Sequence, residues 1–228
     1  MTTIISQLRA ALSRPLPGLE AQLRMAPQPR AGWDPLKFPD DARDGAALLL
    51  VYPHDDTVHI ALTVRGSGLR NHTGQVSFPG GRVDDGETFE QAAMREANEE
   101  IGVDPRTVEI LGRLTPLHIP VSRYILHPIV ACTSMRPAFQ RAEWEVARII
   151  EAPVSVLGDP KTIKREIRTR VVSGQSVEVD VPFYDIDGEK VWGATAMVLA
   201  EFCAILAAEN PRGAEGTDNI RATEGTDS

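Results

Sequence analysis

Apolar and polar positions along the chain alternate with different periods, and those periods mark out its elements. Ala46 to Val51 is an unbroken apolar run, the mark of a strand buried on both faces and therefore central in its sheet. Pro53-His54-Asp55-Asp56 is turn chemistry, and Val58 to Val64 then alternates, so a second strand is expected to return beside the first. Upstream, Ile4, Ile5, Leu8, Ala11 and Leu12 share one helical face, and Leu19 and Leu23 extend it after a break. Between Arg14 and Pro39, prolines at 15, 17, 27, 29, 35 and 39 allow only short regular structure. An extended arm is expected there, with Trp33 and Phe38 as its apolar anchors.

Downstream of Val64 the periodicity fades into a glycine-rich loop, with Val76 to Phe78 as a short strand. Thr88 is an N-cap with Gln91 three residues on, and Phe89, Ala92, Ala93 and Ala97 form the buried stripe of a helix that should stop at Gly102. Strands are expected over Val108 to Leu114, Tyr124 to Cys132 and Val146 to Ile150, then a short helix or turn from Pro153 to Leu157. Thr162 to Arg170 and Val177 to Tyr184 alternate, and Asp187-Gly188 is a hairpin turn before Lys190 to Trp192. Ala194 to Ala208 is a helix that is apolar nearly all round. From residue 209 the composition collapses to small and acidic residues, too poor in apolar groups to offset the entropy of ordering, so a disordered tail is expected.

Strands outnumber helices and many are joined by hairpin turns, which predicts an α+β fold with a mixed sheet covered by helices. The chain divides into a helical, proline-rich N-terminal arm over 1–45, a main domain over 46–208 and the tail over 209–228.

Composition narrows the function. A net charge of −8 argues against a nucleic-acid or membrane-surface binder. The two cysteines, Cys132 and Cys203, form no CxxC pair, so neither a zinc site nor a disulfide framework is expected. No apolar run approaches the roughly 20 residues needed to span a bilayer. A cytoplasmic location follows as the default.

The candidate chemistry lies in Glu96, Glu99 and Glu100, spaced i, i+3 and i+4 on one helical arc. Like charges so placed repel, and a divalent cation in front of them would relieve the repulsion. Gly80 and Gly81 would let backbone approach a ligand closely. Glu87 and Arg95 are spaced to form a bidentate pair that pins loop to helix.

Gly81, Glu87, Arg95-Glu96, Asn98-Glu99-Glu100 and Gly102 resemble, in order and spacing, the complete Nudix box, with only Ala97 smaller than usual. The resemblance implies a Nudix-type α/β/α sandwich. It also implies Mg²⁺ or Mn²⁺ held by Glu96, Glu100, Glu99 and the Gly81 backbone, with Glu87 and Arg95 as structural support. The general base is left open between Glu96 in the box and Glu143 or Glu145 downstream, for which a surface position is the expectation.

Leu62-Thr63-Val64-Arg65, Arg70, His72, Gly74, Gln75-Val76 and Phe78-Pro79-Gly80-Gly81 are similar to the extra motif of the coenzyme A pyrophosphatase subgroup. Gly66 departs from the serine or alanine usual after the first arginine. Trp192-Gly193-Ala194-Thr195-Ala196 is similar to a further segment of that subgroup. The substrate implied is coenzyme A or a derivative. Arg65 and Arg70 would bind phosphate, and His72 and Gln75 would contact phosphate or adenine or support the loop. Broader activity on ADP-ribose, NADH or nucleoside triphosphates, and a Nudix-fold binding module without catalysis, are the alternatives. The arm is a candidate dimerisation element.

Overall fold

The computed structural model describes residues 2–30, 33–34, 37–66, 74–172 and 174–209. Arg70, His72 and the expected disordered tail beyond 209 lie outside them.

Helix α1 (Thr2–Leu12) and the short α2 (Gly18–Gln22) precede a run of strands: β1 (Arg43–His54), β2 (Thr57–Arg65), β3 (Val76–Ser77) and β4 (Gly80–Arg82). The acidic helix α3 (Phe89–Ile101) follows, then β5 (Val108–Arg113), β6 (Leu117–Ile119), β7 (Tyr124–Thr133) and β8 (Val146–Pro153). The chain ends in α4 (Val154–Leu157), β9 (Ile163–Val172), β10 (Gln175–Ile186), β11 (Glu189–Trp192) and α5 (Gly193–Glu209).

β1 is the centre of the main sheet, as its apolar run predicts. It lies between β2, antiparallel, and β7, parallel, which makes the sheet mixed. β3 and β8 flank β2, β4 pairs with the start of β1, and β5 and β6 pair with β7. Side chains alternate across a strand, so β1 serves two cores at once. Ala47, Leu49 and Val51 face a core built with α1, α5 and the segment after α2. Ala46, Leu48, Leu50 and Tyr52 face a second core closed by Ala92, Ala93, Ala97 and Ile101 of α3. Helices on both faces complete the α/β/α sandwich. Asp55-Asp56, both at positive φ, form the β1–β2 turn, and Asp187-Gly188 form the β10–β11 turn in the same way.

Two features depart from expectation. β9, β10 and β11 form a separate antiparallel sheet instead of extending the main one, because their hairpins pair locally and β8 already lies along β2. Phe38 is 43% exposed instead of packed as an anchor, whereas Trp33 packs on the core.

The N-terminal segment is tied down by a polar network that the apolar reading of α5 did not foresee. Glu201, in the middle of α5, is fully buried. It accepts from Gln22 Nε2 at 2.8 Å, Thr115 Oγ1 at 2.6 Å and the Gly18 backbone N–H at 3.2 Å. The Thr115 backbone N–H adds a fourth donor. A buried carboxylate so supplied is stable, but deleting it strands buried donors. Glu201→Ala is expected to lower unfolding free energy by about 3 kcal/mol in urea titration, with Glu201→Gln costing clearly less.

Candidate active site

The site grows from the start of α3. Thr88 Oγ1 accepts the Gln91 N–H at 3.2 Å and the Gln91 side-chain oxygen accepts the Thr88 N–H at 2.8 Å, the reciprocal box the sequence predicts. Gly102, at φ 71°, ends the helix in the left-handed conformation. Asn98 Nδ2 donates to the Val103 carbonyl at 3.0 Å and locks that last turn. The alanine stripe lets α3 lie close on β1, which brings Arg95, Glu96 and Glu100 against β4 and its neighbours.

The two glycines of β4 have different tasks. A Cβ on Gly80 would lie 2.4 Å from the Ala46 carbonyl oxygen, so its space is taken by the β1 backbone, not kept for a ligand as the sequence reading held. A Cβ on Gly81 would lie 2.5 Å from the Glu96 carboxylate carbon: here the missing side chain makes room for the acid. The Gly81 carbonyl faces Gly45 of β1.

Arg95 joins loop to helix. Its Nε and Nη2 donate to the two oxygens of Glu87 at 2.8 and 3.0 Å. Nη2 also donates to the Arg82 carbonyl at 3.0 Å, and Nη1 to Glu96 at 2.8 Å and Glu99 at 3.4 Å. The Arg95 bonds, with the Asp84 backbone N–H, hold the Glu87 carboxyl down to about 2. Burial pushes the Glu96 carboxyl up against the pull of Arg95.

Glu100 is the extreme case, only 4% exposed. Burial, then the charge of Glu145, pushes its pKa up to about 8, while Arg65 and the Gly80 N–H act in the opposite sense. Glu145 therefore belongs to the site, and the surface position expected for it is corrected. The residues before β8 fold back over the end of α3, where the Ala142 N–H donates to the Glu100 carbonyl at 2.8 Å and the Gln140 N–H to that of Ile101 at 3.0 Å. This seals the helix and brings Glu145 to 3.9 Å from Arg65. Glu143 stays exposed and pairs with Arg141. No local sequence signal separates these two glutamates, because what distinguishes them is the pairing of β8 with β2. A register shift at Val64/Arg65 in that pairing re-aims the end of β2.

Arg65 is half-buried, and its Nε has no hydrogen-bond partner among the described residues. Its backbone N–H donates to the Gln75 carbonyl at 3.0 Å, so Gln75 closes the neck of the β2–β3 loop that carries Arg70 and His72.

As the side chains stand, no three acidic, imidazole or thiol groups among the described residues converge on one point, and Glu96 is held by Arg95. What they present is an oxygen-only donor set of clustered carboxylates, two of them raised in pKa by burial. Those donors suit a hard divalent cation. The chemistry of these donors fits such an ion, while their side chains as they stand are not gathered round one point.

A family profile described as the NUDIX domain matches residues 42–158. An Escherichia coli protein named as an uncharacterized Nudix hydrolase, NudL, is 35% identical over 162 residues, 68% of this chain and 79% of its own. A Citrobacter koseri protein of the same name is 34% identical over 165 residues, 70% of this chain and 81% of its own. Among solved structures, a MutT/nudix family protein from Enterococcus faecalis superposes with a TM-score of 0.47 at 14% identity, covering 76% of this chain and 65% of that one.

Three outcomes follow from the geometry. Without added metal, Glu100 keeps its proton in the fold while the unfolded chain has released it above 4.5, so stability falls as pH rises from about 4.5 to about 8. That span corresponds to about 5 kcal/mol, and thermal melts across it should show the slope in the wild type and lose it in Glu100→Gln. Gly80→Ala should destabilise by about 2 kcal/mol by wedging β4 from β1. Gly81→Ala should displace only the Glu96 side chain, leaving the melting temperature nearly intact while activity falls.

Proposed function

The chain belongs to the Nudix hydrolase family, and from that footing we propose that it hydrolyses the diphosphate bond of coenzyme A or its derivatives, giving 3′,5′-ADP and the corresponding 4′-phosphopantetheine. The observation that carries the choice of substrate is Arg65. It stands beside the acids of α3, its Nε has no hydrogen-bond partner among the described residues, and its contact with Glu145 is 3.9 Å long, so among those residues no close ion pair competes with a phosphate for this guanidinium. The residues around it, from Leu62 to Phe78, run directly into the box, so recognition and chemistry adjoin in one stretch. Arg70 and His72, in the same β2–β3 connection, are the further contacts of this reading.

Nudix hydrolases generally use divalent metal ions. Mg²⁺ or Mn²⁺ suits the oxygen donors here, and Glu96, Glu99 and Glu100 would hold it. When bound, such an ion supplies Lewis acidity at phosphorus and makes water acidic enough to ionise near neutral pH. The chain's own residues do the rest. Glu87 and Arg95 hold the loop to the helix, Arg65 orients the diphosphate, and Glu145, half-buried and facing the acids of α3, accepts the proton of the attacking water. Hydrolysis of this kind rests on positioning and charge neutralisation and needs no covalent nucleophile.

Initial rates on coenzyme A, 3′-dephospho-coenzyme A, ADP-ribose, NADH and nucleoside triphosphates, each with Mg²⁺ and with Mn²⁺, test the proposal. Coenzyme A is expected to be turned over best, and in the same assay Glu145→Gln should lower kcat by about 10²-fold or more. Coenzyme A as the poorest substrate would overturn the assignment of substrate, and no metal-dependent turnover on any compound would overturn that of catalysis.

A further inference from the structure

The second sheet ends in an edge with unusual features. β9 is ten residues long and pairs on one side with β10 along its length, and no described strand pairs with its other side. An edge strand presents unpaired backbone N–H and C=O groups, and natural edges are normally guarded by proline, bulges or outward charges. β9 has no proline, and its pairing with β10 runs without a register shift. Its charges are largely drawn back onto its own sheet. Arg165 donates to both oxygens of Asp180 on β10, at 3.0 and 2.8 Å. Lys164 pairs with Asp185, also on β10, and Glu166 is held by Arg168 and by Lys190 of β11. Arg168 and Arg170 lie over the Trp192 ring, at 4.1 and 5.9 Å from its centre.

Besides the exposed Lys164, Arg165 and Thr169, the strand presents three apolar side chains to solvent. Ile163, Ile167 and Val171, at every fourth position and so on one face, are 42%, 63% and 73% exposed. The order is symmetrical about Ile167. If a second β9 ran antiparallel beside the first with Ile167 on the two-fold axis, Ile163 would face Val171 and Arg165 would face Thr169. Each Glu166 would then face the other copy's Arg168, so opposite charges meet twice across the axis. The like-charged facing positions, Lys164 and Arg170, are the ones engaged by Asp185 and Trp192. A one-residue slip would lose the apolar match and the charge match together.

We propose that β9 is the interface between two copies of this chain, pairing antiparallel about Ile167 and joining the two three-stranded sheets into one of six. An isologous contact of this kind is self-complementary and closes as a dimer, leaving no further edge of the same kind. Its location is distinct from the proline-rich arm, which packs with α5.

Sedimentation of the full chain at micromolar concentration is expected to give twice 24.9 kDa. Ile167→Arg puts two like charges on the axis and should halve that mass, while the melting temperature and the catalytic rate per chain stay close to wild type. Oxidation of Ile167→Cys should link two chains covalently, because only the axial residue meets its own copy. Ile163→Cys, far from its copy, should stay unlinked. A wild-type monomer, a dimer that Ile167→Arg leaves whole, or cross-linking at 163 but not at 167 would each overturn the proposal.

Discussion

Holding three glutamates together at the edge of a protein core is the constraint around which this structure is arranged. Ionised carboxylates repel and lose hydration when buried, and Glu100 shows both effects, with its pKa driven up to about 8 by burial and by Glu145. The fold offsets this from several directions. Arg95 neutralises Glu96, Arg65 opposes the rise at Glu100, and the Gly80 N–H donates to the same carboxylate. Each compensating group comes from a different element, so the acids are tolerable only when α3, β2 and β4 are all in place.

The same dependence explains the small residues around the site. Glu100 reaches Gly80 because α3 lies close to β1, and it lies close because its inner face is Ala92, Ala93 and Ala97. β4 pairs with β1 at the register Ala47↔Gly80 and Ala46↔Gly81, where a side chain on Gly80 would strike the neighbouring backbone. β1 in turn is fully buried through its middle and shares its other face with α5. Rigidity at the acids is therefore inherited from a strand that has no solvent-facing side there.

Local features were legible in the sequence and non-local ones were not. The capping box at Thr88, the stop at Gly102, the central run of β1 and the loop-to-helix spacing of Glu87 and Arg95 depend on residues within a few positions of one another, and local pattern reports them. Glu145 depends on the β2–β8 pairing and on a seal over the end of α3. Glu201 depends on Gln22 and Thr115, far apart in the chain, and one carboxylate in an apolar helix gives no hint of them. Gly80 and Gly81 read alike as adjacent glycines, and only the packing of β4 separates their tasks. The second sheet escaped notice because alternation reveals strands without revealing which sheet they join.

Gly66 carries a consequence for how such a protein can diverge. Its N–H donates to the Glu145 carbonyl at 2.7 Å, and a Cβ there would stand 3.2 Å from that same oxygen. Arg65 and Glu145, the groups proposed to orient the substrate and to take the proton, are thus clasped through adjoining backbone, with no side chain between them as a buffer. A substitution that shifts the backbone at this point moves both groups, so on the proposed roles substrate preference and turnover would change together.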